Sequence, residues 1–402
     1  MKYLLNSLIA LFFASVVFGQ NKNSKGDGYF FSYAYKDAIA AYQQDVASGF
    51  VLSQQQQLNL ADAYYQTKDF EQASAIYAQY FSQDSIVDNF RLNRYLIALK
   101  KLGKDQRSKT IAKEKKKALG KELLENAEFN NSIMNDAGDY AAELDFDVFI
   151  LEGNSSKADF SPSFFEDQLL FTSGRQSERI DKKEVGGYLQ IFSGTLSQDG
   201  QLINASQYKE INSSDYHEAT PYFSKGLNSV FYVLSNTKDG ELEFDENGKN
   251  ALAIGVQRLG GSFRFLWRDL STSFYYPFYD EATERLYFAA NLEDSYGGTD
   301  IYYVNTNKGN IMSAPINLGP RINSPGNEIA PYIFENSLYF SSDVYYGYGG
   351  MDIYKTNIGK EGELSIPLNL GAQINSLADD FGFVLRNEGE GMLGYFSSNR
   401  EG

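Results

Sequence analysis

The sequence predicts an α-then-β protein, an N-terminal solenoid of helical hairpins followed by a β-propeller of about five blades, the last incomplete within these 402 residues. Three observations predict it. Up to about Ala142 apolar residues recur three or four apart, and no proline occurs between Gly28 and that point, which is the pattern of amphipathic helices. Beyond Asp145 short runs of Tyr, Phe, Val, Ile and Leu alternate with Gly, Asn, Asp, Ser or Pro every roughly eight to twelve residues, the pattern of antiparallel strands. Within that second half a unit of roughly 50 to 60 residues repeats, and a repeat of that size with about four strands stacks radially.

Residues 1–19 read as a cleaved export signal. Lys2 supplies the positive start, Tyr3 to Phe18 is almost wholly apolar, and Val17 and Gly19 occupy the small-residue positions before Gln20. The run is shorter than the roughly 20 residues that span a bilayer, so an uncleaved anchor is the lesser reading. The expected location is the periplasm, in association with the outer membrane. Residues 20–143 then form the helical part and 144–402 the propeller.

In the helical part, Leu60, Ala61, Tyr64, Phe70, Ala73 and Tyr77 fall on the small and aromatic positions of a tetratricopeptide-like unit of about 34 residues. Ala61 and Ala73 mark close contact of two helices; the aromatic residues fill the gap to the next hairpin. Tyr35, Ala38 and Tyr42 repeat the pattern earlier, and Tyr95, Leu96, Leu99 and Ala112 repeat it more weakly later. An ordinary helical bundle is the alternative. Lys100 to Lys121 holds ten Lys or Arg against Asp105 and Glu114, a local charge of +8 in a chain of net charge -16. Within it Lys113, Lys115, Lys116 and Lys117 cover much of one helix circumference. They are either a solvated face or a surface for an acidic partner, anionic headgroups or an acidic face of this same protein.

The β half carries registered motifs. Leu169-Leu170-Phe171-Thr172-Ser173 recurs as Leu286 to Ala290, Leu338 to Ser342 and Gly394 to Ser398, with a weaker copy at Val230 to Ser235. The aromatic centres Phe171, Tyr232, Phe288, Phe340 and Phe396 lie 52 to 61 residues apart. Pro162, Pro221, Pro277 and Pro331 precede four of the copies. Gly-Gly-x-Asp-Ile-Tyr follows two of them, at Gly297 to Tyr302 and Gly349 to Tyr354, and Gly186-Gly187 with Ile191-Phe192 is a degenerate form. Asn317-Leu318-Gly319 with Ile322-Asn323-Ser324 returns as Asn369-Leu370-Gly371 with Ile374-Asn375-Ser376. The glycine pair is expected to supply positive φ, and Asp300 and Asp352 to accept hydrogen bonds from turn amides. Neither aspartate sits in the Asp-x-Asp-x-Asp-Gly spacing of a calcium loop, so a metal role is the minor reading.

Together these motifs, with Asp379-Asp380-Phe381-Gly382-Phe383 leading to Tyr395-Phe396-Ser397-Ser398-Asn399-Arg400, resemble OmpA-family periplasmic proteins of the Bacteroidetes, whose blades are of the WD40-like, TolB type. The resemblance covers nearly the whole chain from about Phe30. It implies a non-catalytic scaffold or adaptor of an outer-membrane protein machine, in type IX secretion or outer-membrane protein assembly. Outer-membrane β-barrel subunits would be its partners, and it would be tied to peptidoglycan by a C-terminal OmpA-like domain that would lie beyond Gly402. The chain has no cysteine, in contrast to relatives that are lipoproteins.

Counting residue types narrows the chemistry. Without cysteine there is no disulfide, thiolate zinc site or cysteine nucleophile, and with His217 the single histidine, two-histidine metal sites are excluded. A pI near 4.7 argues against nucleic acid. Gly-x-Ser-x-Gly, the phosphate-loop motif and His-Glu-x-x-His are all missing, so no catalytic residue and no cofactor are expected. His217 occupies a repeat slot, which marks it as structural or interfacial. The alternative function is a periplasmic glycan- or peptide-binding propeller, because a propeller mouth is concave and the chain is 15% aromatic. Trp267, beside Phe263, Phe265 and Leu266, is expected to be partly core.

Overall fold

The computed structural model describes residues 24–31, 34–82, 88–115, 120–135, 146–175, 188–211, 214–246 and 248–400. The export-signal segment 1–19, Gly186-Gly187, Lys116 and Lys117 lie outside them. The chain divides into two compact units, Met1–Tyr77 and Ala78–Gly402. Among the described residues no helix is long and apolar enough to cross a membrane.

The first unit is built of α1 (Lys25–Phe31), α2 (Tyr35–Ala47), α3 (Gln54–Gln66) and most of α4 (Phe70–Phe81). Ser53 caps α3 by accepting from Gln56 N, while the Gln56 side chain accepts from Ser53 N, a complete capping box. Ala38, Ala61 and Ala73 are fully buried, as close helix contact requires. Two tyrosine hydroxyls repeat one bond: Tyr42 donates to Asp27 at 2.6 Å and Tyr77 to Asp62 at 2.5 Å, each pair 15 residues apart in sequence. Tyr77→Phe removes a charge-assisted bond from a buried carboxylate, a loss of about 2 kcal/mol. Urea denaturation followed by helical circular dichroism should show the first unit melting earlier.

Among the described residues the second unit holds the propeller and three further helices, α5 (Asn89–Lys101), α6 (Asp105–Glu114) and α7 (Lys121–Asn135). Sequence assigns these helices to the helical half, but α7 docks on the sheet unit through buried amides. Asn126 and Asn130 both donate to Pro367 O at 2.9 Å, and Asn130 Oδ1 accepts from Asn369 N at 2.8 Å. Glu125 pairs with Arg321 at 2.8 Å.

Four blades are complete. The first contains β1 (Asp159–Phe165), β2 (Gln168–Ser173), β3 (Gln190–Leu196) and β4 (Leu202–Gln207). The second contains β5 (Glu218–Ser224), β6 (Ser229–Ser235), β9 (Leu252–Arg258) and β10 (Phe263–Trp267), with a small hairpin of β7 (Thr237–Lys238) and β8 (Glu241–Leu242) inserted. The third has β11 (Phe274–Asp280), β12 (Arg285–Ala290) and β13 (Asp300–Asn307), the last paired to both β14 (Asn310–Ile311) and β15 (Ile316–Asn317). The fourth has β16 (Glu328–Phe334), β17 (Ser337–Ser342), β18 (Asp352–Asn357) and β19 (Leu368–Asn369). The expected count of about five blades is corrected to four. The fifth repeat contributes only a hairpin, β20 (Asp380–Glu388) with β21 (Gly391–Ser398), because no third strand pairs with it among the described residues.

That hairpin closes the ring. A hydrophobic cluster fills each junction between neighbours, including those on either side of the hairpin: Tyr339, Ile353, Phe383 and Leu385 on one flank, Leu169, Phe171, Val384 and Tyr395 on the other. Across the flanks Tyr332 Oη donates to Leu385 O at 2.6 Å and Tyr395 Oη to Gly200 O at 2.8 Å.

Each innermost strand carries the same bulge. Its left-handed residue is Ser161, Thr220, Tyr276, Ala330 or Gly382, with φ between 48° and 68°, and the ladder shifts register there in all five repeats. In the four full blades the next residue is the motif proline. Proline has no N–H to leave unpaired at the extra position, which explains its place in the repeat.

The motifs themselves are one hydrogen-bonded lattice. Asn323 accepts from Ile301 N at 2.8 Å and donates to Ile301 O at 2.9 Å, so a side-chain amide stands in for a neighbouring strand; Asn375 does the same to Ile353. Asp300 Oδ2 accepts from Tyr296 N and Asn317, and Asp352 from Tyr348 N and Gly349 N, as the sequence predicts. The glycine pair differs from expectation. Gly297, Gly298, Gly349 and Gly350 are not among the positive-φ residues; they are glycine because the next blade's loop passes against them. Gly298 N donates to Gly326 O at 2.7 Å and Gly350 N to Ala378 O at 3.0 Å.

Candidate functional site

A concave mouth on the propeller axis is the first place to look, and it is almost closed. The cavity inside the ring of bulges measures about 40 Å³ and is walled by the motif prolines, Tyr222, Phe278 and Tyr332. Phe160 and Phe381 approach to 6.2 Å between ring centroids, and Tyr276 stands 6.4 Å from Phe381. A void of that size holds little more than a water molecule or two.

The larger site lies off the axis, between the second and third blades. It is a cleft of about 600 Å³ walled by four hairpin turns. The turn from β5 to β6 brings Gly226 and Ser229, that from β9 to β10 brings Arg258, Ser262 and Arg264, that from β11 to β12 brings Glu281 and Glu284, and that from β13 to β14 brings Lys308 and Asn310. The floor is Phe231, Val256 and Tyr279, all buried, with the rings of Phe231 and Tyr279 stacked at 5.5 Å. Local sequence explains the walls. Lys308 and Gly309 both have positive φ, 49° and 75°, the geometry of a tight two-residue hairpin that holds the Lys308 side chain at the rim. Glu281 Oε1 accepts from Ser224 Oγ at 2.9 Å and from Gly226 N at 2.7 Å, tying the two blades together across the cleft. Arg264 Nη2 donates to Gly309 O at 3.2 Å, fixing the opposite wall. Arg258, Lys308 and Glu284 are exposed.

Sequence reasoning did not single out these residues. Their signal is a break in the repeat. The second blade has Gly255, Arg258, Gly260-Gly261 and Arg264 where two other blades carry Gly-Gly-x-Asp-Ile-Tyr and its continuation.

The residues that sequence did single out fall elsewhere. His217 Nδ1 accepts from Leu189 N at 3.0 Å and its ring packs edge-on to Tyr188 at 5.0 Å, so it joins the first two blades. Trp267 packs on Phe274 and Phe288 at 5.7 and 5.8 Å, against the core of the junction between blades two and three. Lys113 lies in α6 and Lys115, half-buried, follows its end; Lys116 and Lys117 are outside the described residues. Among the described residues no group of three or more His, Asp or Glu is placed to hold a metal ion.

Carboxylates are instead spent on the scaffold. Burial pushes the Asp300 and Asp352 carboxyls up to about 6 and Glu218 up to about 8, against the opposing pull of their hydrogen bonds. Burial raises Glu328 well above the usual carboxylate range; it accepts from Ser324 N, Ser324 Oγ and Ser342 Oγ. Asp159 goes the other way. Burial raises it, but Arg175 and Ser173 outweigh that and hold it below the ordinary value.

No protein-family model and no curated protein matches this chain. Among solved structures, a thermostable family-43 glycoside hydrolase is similar at TM-score 0.40 and 12% identity, over 62% of this chain and 86% of that one. An α-L-arabinofuranosidase from Lactobacillus brevis is similar at TM-score 0.37 and 10% identity, over 60% of this chain and 83% of that one. A putative TolB from Agrobacterium tumefaciens is similar at TM-score 0.33 and 16% identity, over 57% of this chain and 66% of that one. At such identities the likeness is one of propeller fold, TolB-type included. Most of these neighbours are glycoside hydrolases, whereas the sequence led to the expectation of a non-catalytic scaffold of an outer-membrane machine that is not an enzyme; neither expectation is carried further.

Proposed function

We propose that this protein is a glycan-binding propeller that takes a saccharide in the cleft between its second and third blades. The observation that carries the reading is the composition of that cleft. It has about 600 Å³ of space, within the range of small-ligand sites, yet its walls are charged and planar-polar rather than apolar. Each sugar hydroxyl both donates and accepts, so a ligand dense in hydroxyls matches a wall on which arginine and lysine donors face glutamate acceptors. A lipophilic ligand would leave those groups unpaired. In this reading the protein works in the periplasm, which the export-signal pattern of Lys2 and the apolar run after it supports.

Calorimetric titration with a panel of neutral and acidic oligosaccharides tests the proposal. One of them should saturate a single site, and Arg258→Ala should weaken it about tenfold to hundredfold through loss of a charge-assisted bond. Absence of saturable binding across the panel, or a variant that binds unchanged, ends the reading. Glu281 and Glu284 are the carboxylate pair of the cleft. Release of new reducing ends during the titration, abolished by Glu284→Gln, would extend binding to hydrolysis.

A further inference from the structure

The cleft between blades two and three gathers cations that the rest of the propeller neutralises. Among the described propeller residues, Arg175, Arg268, Arg321, Arg386 and Arg400 each pair with a carboxylate, and Arg285 lies over the Tyr303 ring, 4.4 Å from its centroid. The two remaining arginines, Arg258 and Arg264, both line the cleft. Neither makes an ion pair among the described residues, and Arg264 has only the Gly309 carbonyl as a partner. Lys308, exposed at the rim, adds a third cation without a carboxylate partner. The whole chain sets up the reverse, because its acids exceed its bases by 16.

Two carboxylates face these groups, which leaves the cleft with one positive charge in excess. Glu281 Oε1 is already held by Ser224 Oγ and Gly226 N of the second blade. Glu284 is exposed on the same turn.

We infer that the saccharide taken by this cleft is anionic, carrying a uronate carboxylate or a sulfate ester. The inference rests on the glycan reading of the cleft and names the class of glycan. A guanidinium presents parallel N–H donors that match two oxygens of a carboxylate or a sulfate, and a bond to an ionised acceptor is roughly twice as strong as a neutral one. A neutral sugar offers the three cations hydroxyl oxygens alone. The floor of Phe231, Val256 and Tyr279 is buried, so water screens the field of those charges less than it would on an open surface.

The probes are two matched pairs titrated calorimetrically into the full-length protein: trigalacturonate against its methyl ester, and a sulfated galactotriose against the unsulfated sugar. In at least one pair the charged member should bind tenfold or more tighter than the neutral one, and which pair it is distinguishes carboxylate from sulfate. That preference should shrink several-fold between about 0.05 and 0.5 M salt as the Debye length falls. Arg258→Gln should remove the preference while changing the affinity of the neutral member less than about twofold. Glu284→Gln takes away a facing negative charge and should tighten the charged member about threefold, with the neutral one unchanged. Neutral members that bind as tightly as charged ones overturn this inference and leave the glycan reading in place. Saturation by none of the four overturns that reading, and this inference with it. Inorganic sulfate that displaces the charged sugar at equal concentration would reveal an anion site without saccharide specificity, which overturns both.

Discussion

Gly349→Ala is expected to unfold the propeller at a denaturant concentration far below that of the parent protein. A methyl carbon on Gly349 would stand 2.6 Å from Ser376 O and closer still to Ala378 O, and both obstacles are backbone. Neither can rotate away as a flexible side chain would. Gly349 N also donates to Asp352, and Gly350 N donates to Ala378 O, so any shift of the loop breaks bonds on each side of the methyl. Overpacking against main chain costs about 3 kcal/mol or more. Gly371→Ala is the contrast. Gly371 has φ of 82° and nothing lies within 4 Å of the place its methyl would take, so the cost is only the left-handed strain, about 1 to 2 kcal/mol. Urea midpoints for both variants, with the slope checked for constancy, decide the matter. If the two are equally mild, close approach is not why the Gly-Gly motif recurs.

This contrast shows how much of the fold was legible in the chain. The 52-residue registration of Gly-Gly-x-Asp-Ile-Tyr with Asn-Leu-Gly and Ile-Asn-Ser could be read because every residue in it serves one lattice. Asn323 and Asn375 imitate a strand, Gly319 and Gly371 turn left-handed, and Asp300 and Asp352 hold the loop amides. Repeats advertise structure in this way, and for the same reason they conceal function. The cleft sits where the lattice lapses, at Arg258, Arg264 and the turn of Glu281 to Glu284, and no local pattern joins residues that come together only through the packing of two blades. The position of α7 was hidden likewise. Asn126 and Asn130 read as ordinary helix residues, and their partner, Pro367 O, lies more than 230 residues away. The fifth repeat was legible as a partial one: Tyr395-Phe396-Ser397-Ser398 matches a second strand, and among the described residues it pairs only with β20, so four blades are complete.

The buried acids give the second large effect, a stability that declines as pH rises from about 4 to about 8. Asp300 and Asp352 titrate near 6 in the folded chain against an ordinary 3.8, and Glu218 near 8 against 4.5, in each case because burial penalises the charge. Between the two values of each group the folded state binds more protons than the unfolded state, so the free energy of unfolding falls with rising pH. Asp159 acts in the opposite sense, but its window lies below the ordinary value and does not touch this one. Asp300 permits a clean test. It is fully buried, its Oδ2 carries both hydrogen bonds, from Tyr296 N and Asn317, and its Oδ1 has no partner among the described residues. Asp300→Asn keeps an acceptor for those bonds and places an amide where the proton sits at low pH. Two pH units correspond to about 3 kcal/mol, so the variant should exceed the parent by only about 1 kcal/mol at pH 4.5 and by up to about 3 kcal/mol at pH 8. Urea melts at the two pH values read it directly. A parent and a variant with the same pH slope would mean that Asp300 stays ionised in the fold, with its charge met by groups other than Tyr296 N and Asn317.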